Sequence, residues 1–175
     1  MQDNVHSPLS SARWVVMGVS GCGKSEVGQR LARALGVRFL EGDAYHSASN
    51  VAKMASGIPL DDDDRADWLR TLQAEIAAAR LRGEGLVLAC SALKRRYRDL
   101  LRAADPGLRF AHLSGPRELI AQRMLARTAH YMPASLLDSQ LRDLEPLQQD
   151  EGGLLLDISK PLPALTEEIL HPAGR

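Results

Sequence analysis

With 175 residues, 45% hydrophobic and 25% charged, the chain has the composition of a globular protein able to bury one substantial core, which excludes fibrous and low-complexity classes. Its 22 basic side chains balance 22 acidic ones, so no net field draws it to nucleic acid or to an anionic membrane, and any basic function has to be local. The two cysteines make no disulfide or metal framework and no apolar run reaches the roughly 20 residues of a membrane span, so the expected setting is reduced and cytoplasmic.

Residues 1–12, MQDNVHSPLSSA, have no apolar segment of the signal-peptide kind and are expected to be a disordered tail, leaving 13–175 as a single domain. Beyond them strand and helix signals alternate. RWVVMGV (13–19), VRFLEGD (37–43), GLVLACS (85–91), LRFAHLSG (108–115) and GLLLDIS (153–159) are short apolar or β-rich runs suited to buried parallel strands. Between them Val27, Leu31, Ala34 and Leu35 form one apolar helical stripe, and Trp68, Leu69, Leu72 and Ile76 form another. Gly36 follows the first helix as its C-cap, and Asp61 to Asp64 are expected to precede the long one, where acids favour the positive end of the helix dipole. The alternation predicts an α/β fold: a five-stranded parallel sheet flanked by helices. The connections 44–61 and 127–135 exceed what the sheet needs, and substrate contacts are expected there.

GVSGCGKS, residues 18–25, matches GxxxxGK[ST] between a strand and a helix, the setting in which backbone N–H groups of residues 20–25 wrap an anion. Gly21 and Gly23 let the backbone turn and approach phosphates, Lys24 reaches the β- and γ-phosphates, and Ser25 is a magnesium ligand. A glycine-rich turn that binds nothing would not require a lysine opposing the helix dipole. The guanine-specifying NKxD pattern is absent, since Asn4 and Asn50 are the only asparagines and neither precedes a lysine.

Polar clusters close the second and third strands, where the ligand crevice of an open α/β sheet lies. In EGDAYH (41–46), Asp43 is a candidate general base or holder of a magnesium-bound water, its alternative being turn formation. His46 either contacts a hydroxylated substrate or caps the next segment. In CSALKRRYRD (90–99), Lys94, Arg95 and Arg96 crowd a helix start, and Lys94 and Arg98 share a face, costs that an anion would relieve. A solvated basic face is the bland alternative. Arg123 and Arg127 repeat the i,i+4 spacing, with His130 three residues on, and suit a lid closing on a triphosphate or a set of surface ion pairs.

These segments, with KMASGIPLDDDDRADWL (53–69), RMLARTAHYMP (123–133) and LLDSQLRDLEPL (136–147), resemble gluconate kinase, a small P-loop sugar-acid kinase related to shikimate kinase. The resemblance runs from about residue 13 to 160. It implies a P-loop kinase fold with a mobile lid at about 123–135, homodimerisation, and ATP-dependent phosphorylation of D-gluconate at its 6-hydroxyl with Mg²⁺. The implied catalytic residues are Lys24, Asp43 and Arg127. Gly21, Cys22, Gly23, Lys24, Ser25, Glu26, Arg123 and Arg127 would bind the nucleotide, with Lys160 and Pro161 at the adenine, and Ser25 and, through water, Asp43 would hold the metal. Asp43, His46, Arg65, Lys94, Arg98 and His130 would line the acceptor site. Residue chemistry alone leaves open another small acceptor, such as shikimate or a nucleoside monophosphate, and a nucleotide-binding regulator without transfer activity.

Overall fold

The computed structural model describes residues 11–127 and 133–173. Its sheet is five parallel strands, β1 (Arg13–Met17), β2 (Arg38–Glu41), β3 (Leu86–Ala89), β4 (Arg109–Ser114) and β5 (Leu154–Asp157), in the order β2-β3-β1-β4-β5. Each lies inside a run expected to be a strand. β1 is central because its four residues Trp14 to Met17 are apolar on both faces: Trp14 and Val16 enter one core, Val15 and Met17 the other. Complete burial of a side chain such as Val15 stabilises the fold by roughly 1.5–3 kcal/mol.

Helices α1 (Lys24–Leu35) and α7 (Leu162–Leu170) cover the first core, together with residues of α5 (Arg117–Leu125) and α6 (Ala134–Asp143). On the other face lie α3 (Asp62–Leu81) and α4 (Arg95–Ala104). Trp68, Leu69, Leu72 and Ile76 of α3 are buried as the stripe requires. In α1 the stripe is shifted: Ala32 is buried and Ala34 exposed, because the face centres on Val27, Gly28 and Leu31. Gly36 ends α1 at φ 67°, as expected of a left-handed cap.

Three boundaries differ from expectation. Ala12, assigned to the tail, packs on the first core, and its carbonyl accepts the Leu86 N–H at 3.0 Å. Residues 44–61 are not an open connection but hold α2 (Ala48–Ala55), which Ser47 caps by accepting the Asn50 N–H. The acidic run does not precede α3; it forms its start, with Asp61 as N-cap in a reciprocal capping box with Asp64. No described helix is long and apolar enough to cross a membrane.

Parallel strands put the carboxyl ends of β1, β2 and β3 on one edge. That edge collects the glycine loop, the 3₁₀ turn Gly42–Tyr45 and Ser91.

Candidate active site

The glycine loop ends in Gly23, the N-cap of α1 at φ 93°, and among the described residues no side chain is bonded to the helix's first N–H groups. Those donors and the positive end of the helix dipole face the loop. Gly21, at φ 83°, is packed so closely that a Cβ there would stand 2.4 Å from Met124 Cγ. Lys24 Nζ donates to the Val19 carbonyl at 2.9 Å, folded back along the loop. A cavity of about 450 Å³ opens beside it, lined by Gly21, Gly23, Lys24, Ser25, Glu41 and Arg127 among others.

Ser25 Oγ donates to the Glu41 carboxylate. Glu41, the last residue of β2, escaped the sequence reading although it opens the EGDAYH cluster; a carboxylate at a strand end beside the loop serine was the signal.

The turn that carries Asp43 is fixed from behind. The Trp68 indole N–H donates to the Gly42 carbonyl at 2.8 Å, and a Cβ on Gly42 would sit 2.4 Å from the Ala89 carbonyl oxygen, so the turn presses against β3. The Asp43 side chain projects outward, 70% exposed, while that of His46 is 4% exposed and lies with Nε2 3.8 Å from Asp43 Oδ1. His46 stacks on Trp68 at 4.2 Å between ring centroids. Burial lowers its pKa; Asp43 pulls the other way and Arg65 adds to the lowering, so the ring favours its neutral form. Its Nδ1 has no hydrogen-bond partner among the described residues.

A second, smaller cleft adjoins the first and is lined by Asp43, His46, Arg65, Trp68, Ser91 and Gln140 among others. Arg65 Nη1 donates to Tyr97 Oη and to Asp143, both at 3.1 Å, and Tyr97 in turn donates to Asp62. Ser20, Lys24, Asp43 and Met54 line both spaces.

An AAA-domain family model matches residues 14–147. The gluconokinase of Gluconobacter oxydans (strain 621H) is 45% identical over 157 residues, spanning 90% of this chain and 88% of its own. The chain belongs to the gluconokinase family. Two solved structures share the fold. A gluconokinase from Sinorhizobium meliloti 1021 is 46% identical, with a TM-score of 0.84 over 92% of this chain and 90% of its own. An unliganded sugar kinase from Janibacter sp. HTCC2649 is 48% identical, with a TM-score of 0.87 over 91% and 92%.

Within this gluconokinase-family fold, several residues expected at the site stand elsewhere. Arg98 is fully buried: its Nε and Nη2 donate to Glu151 at 2.6 and 2.9 Å, and Nη1 to the Ala92 and Leu93 carbonyls. It lines neither cavity, and its expected place in the acceptor site is corrected to a core ion pair. The other cations of that cluster are likewise met by the chain's own acids. Lys94 Nζ lies 3.1 Å from Asp62, Arg96 also reaches Asp62, and Arg95 pairs with Asp150 at 2.6 Å. Lys94 is not among the residues that line the smaller cleft.

Arg123 and Arg127 do not share a helical face, because α5 stops at Leu125. Arg123 Nη2 donates to the Ile158 carbonyl at 2.7 Å, whereas Arg127 lines the larger cavity. Cys22 turns its side chain into the core, where burial raises its pKa, so it offers the loop only backbone. Glu26 is exposed on the first turn of α1 and lines neither space. Lys160 is engaged with Glu168 at 2.6 Å and Pro161 caps α7. His130 lies outside the described residues.

Proposed function

We propose that the chain transfers the γ-phosphoryl group of ATP to the 6-hydroxyl of D-gluconate, giving 6-phosphogluconate and ADP. One observation carries this reading: Ser20, Lys24 and Asp43 line both the phosphate-side cavity and the acceptor cleft, so a terminal phosphate and an acceptor hydroxyl meet beside a cation and a carboxylate. Phosphoryl transfer needs positioning and charge stabilisation more than covalent help, and these residues are of the kinds that provide both.

On this reading the free N–H groups at the start of α1 hold the phosphates, and Lys24 leaves the Val19 carbonyl to neutralise charge on the transferring group. Asp43 orients the acceptor hydroxyl and takes its proton. The neutral imidazole of His46, with its unpartnered Nδ1, meets an acceptor hydroxyl. Arg65 is held by Tyr97 and Asp143 through one nitrogen, leaving the rest of its fork for the acceptor carboxylate.

Ser25 and Glu41 are the residues that would hold Mg²⁺, the first directly and the second through water, with Asp43 near them. The described residues contain no cage of three or more His, Cys, Asp or Glu, which suits an ion bound mainly by phosphates and water. Bound there, the ion would neutralise charge on the transferring phosphoryl group.

The reading extends to a lid at about 123–135, of which residues 128–132 lie outside the described residues, bringing Arg127 over the triphosphate, to adenine near Lys160 and Pro161, and to one domain over 12–175 working as a cytoplasmic homodimer. A coupled ADP-release assay over gluconate, glucose, shikimate and AMP tests the acceptor. Gluconate is expected to be phosphorylated and the others poorly, and equal rates with gluconate and glucose would refute the carboxylate site.

A further inference from the structure

Helix α6 grips the glycine loop from across the site. The Ser20 backbone N–H donates to Gln140 Oε1 at 2.7 Å, and Gln140 Nε2 donates to Ser20 Oγ at 3.1 Å. One primary amide thus meets both the backbone N–H and the hydroxyl of a residue that lines the phosphate cavity and the acceptor cleft. Three residues further on, the same helix presents Asp143 to Arg65 at 3.1 Å, and positions three apart share a helical face. The helix therefore holds the loop with one side chain and the acceptor guanidinium with another.

The amide is not needed to anchor α6. Leu136 and Leu137 are buried at 3% and 0% exposure, and Arg117 of α5 makes two bonds to Asp138, at 2.6 and 3.0 Å. What the amide adds is the position of Ser20. Reacting groups about 1 Å out of place lose up to roughly 10²-fold in rate, so a residue fixing the loop at the transfer point acts on turnover more than on affinity.

We propose that Gln140 is a positioning residue for phosphoryl transfer, fixing Ser20 where nucleotide and acceptor meet; this rests on the kinase reading above. Gln140 touches the loop and acts through it.

The test uses the full chain with Gln140→Met, which keeps the side chain's length and removes its amide, and with Ser20→Ala, which keeps the N–H bond and loses the hydroxyl. In Gln140→Met, kcat with gluconate is expected to fall more than five-fold. KM for ATP, KM for gluconate and the affinity for a non-hydrolysable ATP analogue should stay within three-fold, and the melting temperature within about 2 °C. Ser20→Ala should lose less, and the double variant no more than Gln140→Met alone. A smaller fall in kcat, a loss of stability in Gln140→Met, or additive losses in the double variant would overturn the proposal while leaving an active kinase. A wild-type chain that phosphorylates no gluconate overturns the kinase reading and the proposal with it.

Discussion

Replacing Glu151 by glutamine should destabilise the protein without disabling it. The Glu151 side chain is fully buried and its carboxylate accepts from Arg98 Nε at 2.6 Å, Arg98 Nη2 at 2.9 Å, Arg102 Nη2 at 2.7 Å and the Gln148 N–H at 2.8 Å. Burial alone would raise its pKa; the bonds from Arg98, Gln148 and Arg102 outweigh it and pull the group from 4.5 down to about 2. That lowering corresponds, at 1.36 kcal/mol per tenfold change in proton affinity, to about 3 kcal/mol of stability. Breaking a buried ion pair by removing one partner costs a similar amount, about 3–5 kcal/mol, because Arg98 stays charged and buried.

Urea unfolding at pH 7 should therefore show Glu151→Gln about 3 kcal/mol less stable, and its melting point should fall by roughly 6–12 °C. The folded pKa lies below the unfolded one, so the stabilisation is complete above about pH 4.5 and is lost as pH falls through about 2; the variant has none of it to lose. At 20 °C its kcat and its KM for gluconate should match wild type, since Arg98 lines neither cavity. An unchanged urea midpoint would refute the argument. So would a many-fold rise in KM for gluconate at full stability, which would return Arg98 to the acceptor site.

Lys24→Ala should abolish transfer while the urea midpoint holds, because Lys24 makes no core contact and bonds only the Val19 carbonyl among the described residues. Arg65→Met should raise KM for gluconate by roughly 10–150-fold, the worth of about 1.5–3 kcal/mol for a charged hydrogen bond, and narrow the preference over glucose in the ADP-release assay. His112, buried in β4, is pushed to about 4 first by burial and then by the Arg98 charge. Its folded pKa lies below the unfolded 6.5, so the protein should lose about 3 kcal/mol as pH falls from about 6.5 through about 4, and denaturation of His112→Leu should show this loss removed.

The strands and the glycine loop were legible because their signals are local: an apolar run bounded by glycine, and fixed spacings within eight residues. Asp43 and His46 could be singled out because chain order in a parallel sheet puts strand ends on one edge, whereas Arg65, on α3, came only from the family resemblance. What stayed hidden depends on partners remote in sequence. Arg98 reads as a free cation until Glu151, 53 residues on, is folded against it. Arg95 and Asp150 are separated by 55 residues and Lys94 and Asp62 by 32, so a cluster that seemed to call for an external anion is neutralised from within. Glu41 was read as part of a strand because its partner Ser25 lies 16 residues back, across a helix. Gln140 and Ser20, 120 residues apart, had no sequence signal at all. The expected i,i+4 face of Arg123 and Arg127 failed for another reason, since helical spacing holds only while the helix lasts and α5 ends between them.

The most direct test of transfer at the Asp43 junction is ³¹P NMR of the reaction of wild type and Asp43→Asn with ATP and gluconate. An amide at residue 43 can hold a hydroxyl but cannot take its proton. Wild type should convert gluconate to 6-phosphogluconate with one ADP per product, while Asp43→Asn binds ATP with near-normal affinity and forms product at least ~100-fold more slowly. Phosphate on a different oxygen, or a variant as fast as wild type, would contradict the account.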